Sequence, residues 1–335
     1  ISMNVAIVGA GLIGKKRASS LEENDFLSIV CDINEVFAKE LAHEFSTNST
    51  GNIKDIINNS NIDTVIVSVV NKYAAELTTD MLLSGKNVLC EKPLGRNVEE
   101  SRVILSAAEK NNKIVKTGFN HRFHPAVIKA KELIENDSIG ELINIRARYG
   151  HGGRPGMEQE WRCSKELCGG GELIDQGVHL IDLCRWFTDK DVDQVYGKTY
   201  RSFWESDVED NAFFHLEFDG NILAQCHVSW TNWKNIFSFE IFGKDGYIKI
   251  KGLGGSYGKE TLEVGYRQPT GGIPAIDHFD FTDDDNSWSL EWQEFKQAIE
   301  ENKEPSGSGN DGYEANVIID AIYKSNDLNK PVSVN

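Results

Sequence analysis

The chain has 335 residues, 35 of them basic and 52 acidic, which gives a formal net charge of −17 at pH 7. This length predicts two domains, and apolar residues at 40% with charged residues at 26% are typical of a folded globular chain. The negative charge disfavours nucleic acid and anionic membrane surfaces as partners, because both would repel the protein on average. No apolar run reaches the ~20 residues that a membrane helix needs.

The cysteines and the first residues indicate where the protein works. Six cysteines are spread along the chain without a Cys-x-x-Cys pair, which favours free buried thiols in a reducing compartment over disulfides or a zinc site. The first residues lack the basic, apolar and small-residue stretches of a secretory signal. We therefore expect a cytoplasmic protein that holds no metal.

Residues 1–120 alternate short apolar runs with segments of helical periodicity. The runs are rich in Val and Ile, which predicts parallel strands covered on both faces. These strands are Val5–Val8, Leu27–Cys31, Thr64–Val70, Asn87–Cys90 and Lys113–Thr117. The helices between them are Ile13–Leu21, Glu35–Phe45, Ala74–Leu83 and Val98–Ala108. The alternation predicts a first domain, over residues 1–120, built on a doubly wound parallel sheet.

The pattern changes in residues 121–335, which predict a second domain of the α+β class. Strand follows strand from about 192 to 266, and apolar side chains alternate with polar ones, which predicts a large, mostly antiparallel open sheet. The other elements expected are helices over Pro125–Ile134, Leu173–Phe187, Leu290–Ile299 and Tyr313–Ser325, and a strand over Ile143–Tyr149. The expected exposed loops are Gly252–Gly258, Gly271–Ile276 and Ser306–Gly312.

The run Gly9-Ala10-Gly11-Leu12-Ile13-Gly14 directly follows the first predicted strand and opens the first helix. In this context the first glycine allows a tight turn, the second lets the backbone approach a pyrophosphate, and the third lets helix and strand pack closely. Asp32 ends the second strand, where a carboxylate accepts hydrogen bonds from the adenosine ribose. Its charge would repel a 2′-phosphate, and the next two residues supply no cation, so we expect NAD in preference to NADP.

Three further side chains suit acid–base chemistry. Lys92 lies in the run Cys90-Glu91-Lys92-Pro93 at the end of a predicted strand, where ligands bind in parallel sheets. Asp175 and His179 are four residues apart and therefore share one face of a helix. A carboxylate and an imidazole on one face can shuttle a proton, although a surface ion pair or a pair of metal ligands has the same spacing.

Three motifs occur in order along nearly the whole chain: Gly-x-Gly-x-x-Gly, Glu-Lys-Pro, and Gly-Gly-Gly-x-Leu-x-Asp-x-Gly-x-His-x-x-Asp. Together they resemble the glucose–fructose oxidoreductase / inositol dehydrogenase (Gfo/Idh/MocA) family. The resemblance implies a Rossmann domain followed by an α+β domain whose open sheet mediates homodimers or homotetramers. It also implies an enzyme that transfers a hydride between NAD(P) and a carbinol carbon of a sugar, cyclitol or related derivative.

The same resemblance implies a role for individual residues. Lys92 would bind the reacting hydroxyl and contact the cofactor, His179 would be the general base, and Asp175 would position substrate or relay the proton. Asn71 matches an asparagine near the nicotinamide, although Val70 replaces the proline that usually precedes it. The residues expected to bind the cofactor are Gly9, Gly11, Leu12, Ile13, Gly14, Asp32, Asn71, Glu91, Lys92, Asn120, Trp161 and Arg162. Those expected to bind substrate are Lys92, Arg122, Arg154, Asp175 and His179.

The segment from 122 to 162 carries seven basic and six acidic residues, a net charge of +1 within an acidic chain. One interpretation is that Arg154, in the run His151–Gly156, contacts the phosphate of a nucleotide sugar or the carboxylate of a sugar acid. A solvated loop charge has the same sequence. Trp230 and Trp233 can stack on a sugar ring, whereas we expect Trp186 in the core.

Two other functions are compatible with these motifs. One is a glycoside hydrolase that retains NAD and eliminates the aglycone through transient oxidation, and the other is a non-catalytic NAD-binding regulator. Net NADH production from a free sugar would distinguish a dehydrogenase from the hydrolase. The presence of Lys92, Asp175 and His179 argues against the regulator. The sequence identifies neither the substrate nor the carbon oxidised.

Overall fold

The apolar runs of residues 1–120 form six parallel strands in the computed structural model, which describes residues 1–334. The elements are β1 (Asn4–Val8), α1 (Leu12–Ser19), β2 (Phe26–Cys31), α2 (Glu35–Glu44), β3 (Asn48–Thr50), α3 (Lys54–Ile57), β4 (Thr64–Val67), α4 (Asn71–Leu83), β5 (Asn87–Glu91), α5 (Val98–Lys110) and β6 (Val115–Gly118). The strand order is β3-β2-β1-β4-β5-β6, as a doubly wound sheet requires. From β1 the strand order runs to one side of the sheet as far as β3 and then, from β4, to the other side. Ligands are expected at this change of order, beyond the carboxyl ends of β1 and β4.

The chain divides into two compact units, one of residues 1–120 with 288–316 and the other of residues 121–287 with the C-terminal residues from Val317. The sequence prediction assigned all of 121–335 to the second domain, so the return of 288–316 differs from it. Trp292 and Phe295 explain the return, because both are fully buried in one cluster with Val5 and Ile7 of β1.

The second unit is built on a nine-stranded sheet. Its elements are α6 (Pro125–Glu135), β7 (Leu142–Gly150), α7 (Lys165–Cys168), α8 (Val178–Thr188), β8 (Val192–Tyr200), β9 (Asn211–Phe218), β10 (Ile222–Ser229), β11 (Ile236–Gly243), β12 (Gly246–Lys251), β13 (Glu260–Tyr266), β14 (Ala275–Phe281) and, after α9 (Ser287–Glu301) and α10 (Gly309–Leu328), β15 (Val332–Ser333). The strand order is β14-β13-β12-β11-β7-β10-β9-β8-β15, and β7 with β10 is the parallel pair in an otherwise antiparallel sheet. The alternating burial along β10 confirms the period-two pattern of the sequence.

Several local predictions differ from the structure. The expected exposed loop Gly252–Gly258 contains buried Leu253 and half-buried Tyr257. The segment Ser306–Gly312 is not an exposed loop: Ser308 is buried, its carbonyl accepts a hydrogen bond from Thr117 Oγ1, and α10 already begins at Gly309. The expected loop Gly271–Ile276 ends early, because β14 begins at Ala275. The helix expected over Leu173–Phe187 begins with one π-helical turn, Leu173–Gly177, before α8. Within residues 1–334, no helix has the length and apolar character needed to cross a membrane.

Candidate active site

The glycine run between β1 and α1 has the geometry of a dinucleotide-binding turn. Gly9 adopts φ +99°, and a Cβ there would lie 2.2 Å from the Ser68 carbonyl oxygen. A Cβ on Gly14 would lie 1.9 Å from the Gly9 carbonyl oxygen, so this glycine permits the close packing of helix and strand. Gly11, the N-cap residue of α1, has no atom within 4 Å of its ideal Cβ position. This open space lies at the N-terminus of α1, where Leu12 and Ile13 are the first helical residues. It fits the pyrophosphate of a dinucleotide.

Asp32 is fixed beside this turn by two backbone N–H groups. Its Oδ2 accepts a hydrogen bond from Ala10 N and its Oδ1 one from Asn34 N, both at 2.8 Å. The carboxylate therefore has a defined position directly after β2, as a ribose-binding residue must. Ile33 is 92% exposed, so the residue after Asp32 contributes neither a cation nor a packed wall.

Three other predicted cofactor and catalytic residues follow neighbouring strands of the same sheet. Asn71 begins α4 after β4 and is buried, half-buried Lys92 follows β5, and buried Asn120 follows β6. Since β4, β5 and β6 are adjacent and parallel, the fold brings these three residues to one edge of the sheet. The glycine turn after β1 lies at the same edge.

Glu91, the last residue of β5, is held by a buried arginine that sequence reasoning missed. Arg17 of α1 donates from Nε to Glu91 Oε1 at 2.6 Å and from Nη1 to Glu291 Oε2 at 2.5 Å. Burial raises the pKa of Glu91 and the charge of Arg17 opposes that rise. The Glu91 carboxylate thus binds Arg17 of α1, and Glu91 is the residue directly before Lys92. The burial of Arg17 could not be predicted from the sequence, because an arginine on a short helix is usually exposed to solvent.

The run Gly169–Gly171 and a distant glutamate support the π-helical turn that carries Asp175. Glu209 Oε1 accepts hydrogen bonds from the N–H groups of Gly171 at 3.1 Å and Leu173 at 3.2 Å, and from Tyr323 Oη at 2.6 Å. Burial raises the pKa of Glu209. Close contact with Tyr323 and Glu209 also explains the glycines, because a Cβ on Gly170 would lie 2.2 Å from Tyr323 Oη.

His179 lies one turn after Asp175, is 4% exposed, and stacks on a second histidine. The ring of His121 is parallel to it within 8°, with 3.6 Å between ring centroids. His121 Nε2 lies 2.9 Å from Tyr149 Oη. The sequence predicted no role for His121, since nothing in the spacing of 121 and 179 indicates a contact.

Arg162 and Trp161 lie beside Asp175. The Arg162 Nε is 3.5 Å from Asp175 Oδ1, and its guanidinium lies 4.6 Å from the Trp161 ring centroid. Trp161 also lines a cavity of about 520 Å³ whose wall includes four carboxylates: Glu158, Glu160, Glu205 and Asp207. Arg201 lines the same cavity, and the contact of Arg162 with Asp175 brings the Trp161–Arg162 pair next to one of the proposed acid–base residues. The role of this pair in cofactor binding stays a prediction.

The two arginines expected to bind substrate are each paired with a carboxylate. Arg122 donates from Nε and Nη2 to both oxygens of Asp182, at 2.8 and 2.6 Å, and both side chains are buried. Arg154 is exposed, and its guanidinium forms a bidentate pair with Glu160. Both guanidinium groups are thus already engaged by carboxylates of the same unit.

The tryptophans expected to stack on a sugar or to lie in the core occupy different environments. Trp230 is fully buried, Trp233 is exposed, and Trp186 is half-buried beneath the guanidinium of Arg122 at 5.3 Å. Within residues 1–334, no group of three or more His, Cys, Asp or Glu is arranged to hold a metal ion.

Comparison with known proteins identifies the family. Residues 3–119 match the model of the oxidoreductase family with an NAD-binding Rossmann fold, and residues 127–249 match the GFO/IDH/MocA C-terminal domain. The chain belongs to the Gfo/Idh/MocA family of NAD-binding oxidoreductases. The family resemblance and the fold class predicted from the sequence are thus confirmed.

Relatives match the chain over almost its whole length. Levoglucosan dehydrogenase of Pseudarthrobacter phenanthrenivorans is 26% identical, over 97% of this chain and 96% of its own. Inositol 2-dehydrogenase of Rubrobacter xylanophilus is 24% identical, over 96% of this chain and 90% of its own. A solved structure of levoglucosan dehydrogenase in complex with NADH and levoglucosan superimposes with a TM-score of 0.91 at 25% identity and covers 100% of both chains.

Proposed function

We propose that this enzyme transfers a hydride between NAD and a carbinol carbon of an uncharged sugar or cyclitol. The observation that carries the proposal is the π-helical turn followed by α8, which presents Asp175 and nearly buried His179 one turn apart. Single π-helical turns occur frequently at functional sites. The relatives named levoglucosan dehydrogenase and inositol 2-dehydrogenase support the substrate class.

The roles follow from the chemistry of each side chain. His179 accepts the proton of the reacting hydroxyl, and Asp175, whose carboxylate lies against Arg162, orients the substrate or passes that proton on. Lys92 donates a hydrogen bond to the same hydroxyl and stabilises the negative charge that develops on its oxygen. Bound NAD supplies the hydride acceptor. Asn71 and Asn120 bind the cofactor at the edge of the parallel sheet.

The preference for NAD over NADP rests on Asp32. Its carboxylate is fixed by Ala10 N and Asn34 N, so it cannot swing away from a 2′-phosphate without losing two hydrogen bonds. We expect kcat/KM with NAD to exceed that with NADP by about 10² or more. In Asp32→Asn the two values should approach each other, while equal values in the unaltered enzyme would contradict the assignment.

An uncharged substrate is favoured over a nucleotide sugar or sugar acid because the available arginines are occupied. An anionic substrate that used Arg122 would have to displace Asp182 from a buried bidentate pair. Removing one partner of such a pair costs about 3–5 kcal/mol. Arg154 would have to leave Glu160. The role of Arg122 is therefore to hold α8 through Asp182 rather than to bind substrate.

We further propose that the open face of the nine-stranded sheet forms a homodimer or homotetramer. Large side chains exposed on this face support the proposal: Tyr196, Tyr200, Phe213 and Leu223. A cytoplasmic location is supported by the six cysteines, all of which are buried as free thiols. Light scattering of the purified protein at several concentrations tests the oligomer, and a monomer throughout would contradict it.

The decisive experiment measures NADH formation with levoglucosan, inositols, free sugars, sugar acids and nucleotide sugars. We expect turnover with one or more uncharged polyols and a loss of about 10² or more in kcat for His179→Ala and Lys92→Ala. His43→Ala and Lys110→Ala, which alter exposed residues near the ends of α2 and α5, serve as matched controls with unchanged kcat. Wild-type turnover in either active-site variant would overturn its role, and release of an aglycone without net NADH would favour the hydrolase.

A further inference from the structure

The stack of His121 on His179 brings together two groups that can each carry a positive charge. Their ring centroids are 3.6 Å apart, the ring planes differ by 8°, and both side chains are more than nine-tenths buried. At this separation, and with little solvent to screen them, two imidazolium ions repel strongly. Protonation of one ring lowers the proton affinity of the other by at least about a hundredfold.

The hydrogen bond to Tyr149 determines which ring remains neutral. Burial, together with the nearby charges of Asp175 and Glu172, raises the pKa of Tyr149 well above 10, so the phenol keeps its proton. That hydroxyl can donate to His121 Nε2 at 2.9 Å only while this nitrogen carries no proton. In the tautomer of His121 whose Nε2 accepts this hydrogen bond, the contact stabilises neutral His121 and leaves the single proton of the pair to His179.

The other groups around the pair come from every neighbouring element. His124, in the turn before α6, meets His121 edge-on at 5.5 Å and lies 3.4 Å from Glu260 and 3.7 Å from Asp285. The ring of Tyr257 contacts Tyr149 at 5.0 Å, and burial raises its pKa to about 12. On the side of α8, the carboxylates next to His179 in sequence are compensated: Asp182 by Arg122 and Asp175 by Arg162. Phe237 supplies the apolar edge.

We propose that His121 is a positioning residue for His179 and that the two rings form one coupled acid–base pair that holds a single proton. The stack fixes the ring plane of His179. Because two adjacent imidazolium ions would repel each other, the pair binds only one added proton. This role rests on the proposed function, because it takes His179 as the general base. The coupling itself is a property of the pair and exists whether or not a substrate is found.

A histidine NMR titration tests the coupling without any substrate. The protein is labelled with ¹⁵N-histidine, the two rings are assigned with His121→Phe and His179→Phe, and free histidine calibrates the shifts. We expect one proton to enter the pair, on His179, and His121 to remain neutral down to about pH 4.5. In His179→Phe the protonation midpoint of His121 should rise by at least about one pH unit. Two rings that are both fully protonated at pH 5, or an unchanged midpoint, would refute the proposal.

A second variant tests the hydrogen bond in case the phenylalanine variants fold poorly. Tyr149→Phe leaves the stacked rings in place and removes only the hydroxyl that contacts His121 Nε2. We expect the ¹⁵N shifts of His121 to change from one fixed tautomer to a mixture, and its protonation midpoint to rise. Shifts identical to those of the wild type would contradict the role of Tyr149.

Kinetics separate the positioning role from a merely structural one. With a substrate that the enzyme oxidises, we expect His121→Ala to lower kcat about tenfold with little change in KM, and His121→Phe, which can still stack, to restore most of it. A loss that Phe does not restore, or one confined to KM, would overturn the positioning role. If no substrate is found, the proposed function fails while the NMR titration still decides on the pair.

Discussion

Arg17→Met should destabilise the first unit more than any single surface change, because it leaves two buried carboxylates facing each other. In the native chain the Arg17 guanidinium contacts Glu91 at 2.5 Å and Glu291 at 2.5 Å, and the exposed fraction of its side chain is zero. Methionine has a similar length and no charge, so the change removes the cation and leaves most of the packing.

The expected magnitude follows from these contacts. Removing one partner of a buried ion pair costs about 3–5 kcal/mol, since the remaining charge is left desolvated. This penalty is counted once, for Glu91, because Lys116 Nζ lies 3.8 Å from Glu291 Oε1 and still compensates that carboxylate. The guanidinium also lies 4.5 Å from the Trp288 ring centroid, a cation–π contact that contributes a further ~1 kcal/mol. We therefore expect the free energy of unfolding of Arg17→Met to fall by about 4–6 kcal/mol at pH 8.

The pH dependence of this loss has a definite sign. Burial already raises the pKa of Glu91 and Arg17 opposes that rise, so the variant raises the pKa further. A carboxyl whose folded pKa exceeds its unfolded value of 4.5 contributes stability below that value and loses it as the pH rises through the folded pKa. The penalty of Arg17→Met should thus be about 1–2 kcal/mol smaller at pH 5 than at pH 8.

Urea unfolding followed by tryptophan fluorescence at both pH values measures this penalty. Arg102→Met, which removes exposed contacts with Glu99 on α5 and with Tyr313, is the matched control and should cost less than about 1 kcal/mol. The double variant Arg17→Met/Glu291→Gln should recover part of the loss, because one of the facing charges is gone. A penalty below about 1 kcal/mol, or one that is equal at pH 5 and pH 8, would refute the reasoning.

Two other predictions concern the glycine turn and the open sheet face. Gly11→Ala should leave the melting temperature unchanged, because its Cβ meets no protein atom, but should weaken NADH binding about tenfold or more by calorimetry, because that Cβ fills the space proposed for the pyrophosphate. Gly14→Ala should instead lower the free energy of unfolding by about 1–3 kcal/mol, because its Cβ meets the Gly9 carbonyl. The reverse pattern would contradict the fit of the turn. His227 has a pKa lowered to about 4, first by burial and then by Arg148, so its stabilising contribution is complete above 6.5 and declines as the pH falls toward 4. Between pH 6.5 and 4.5, the free energy of unfolding of His227→Gln, measured by urea titration, should therefore fall by about 1 kcal/mol less than that of the wild type. Parallel plots of this free energy against pH would count against the lowered pKa.

The features that the sequence predicted are those set by the main chain. Continuous apolar runs predicted five of the six parallel strands within a few residues, because a strand buried on both faces has few alternatives. The Gly9–Gly14 run predicted its turn, because Gly9 has a positive φ that other residues rarely adopt. The short elements β3 and α3 have too few residues for any periodicity, and they were missed.

The parts that could not be predicted depend on side chains that meet across long sequence distances. Arg17 and Glu291 are 274 residues apart, and His121 and His179 are 58 apart, so no spacing rule connects either pair. The return of 288–316 to the first unit has the same cause, because the burial of Trp292 and Phe295 is decided by the surface they meet. The roles of Lys92, Asp175 and His179 remain predictions until the kinetic variants are measured.

Within each unit, a late segment of the chain supports an early motif. In the first unit, α9 supplies Glu291 to Arg17, and Arg17 in turn binds Glu91, the residue before Lys92. In the second unit, α10 supplies Tyr323 to Glu209, which binds the N–H groups of Gly171 and Leu173 at the start of the π-helical turn. In the first unit the buried Arg17 guanidinium joins the motif to the late helix, and in the second unit the Glu209 carboxylate does so. Because an unsatisfied buried carboxylate costs several kcal/mol, loss of either helix would displace the motif that it supports within its own unit.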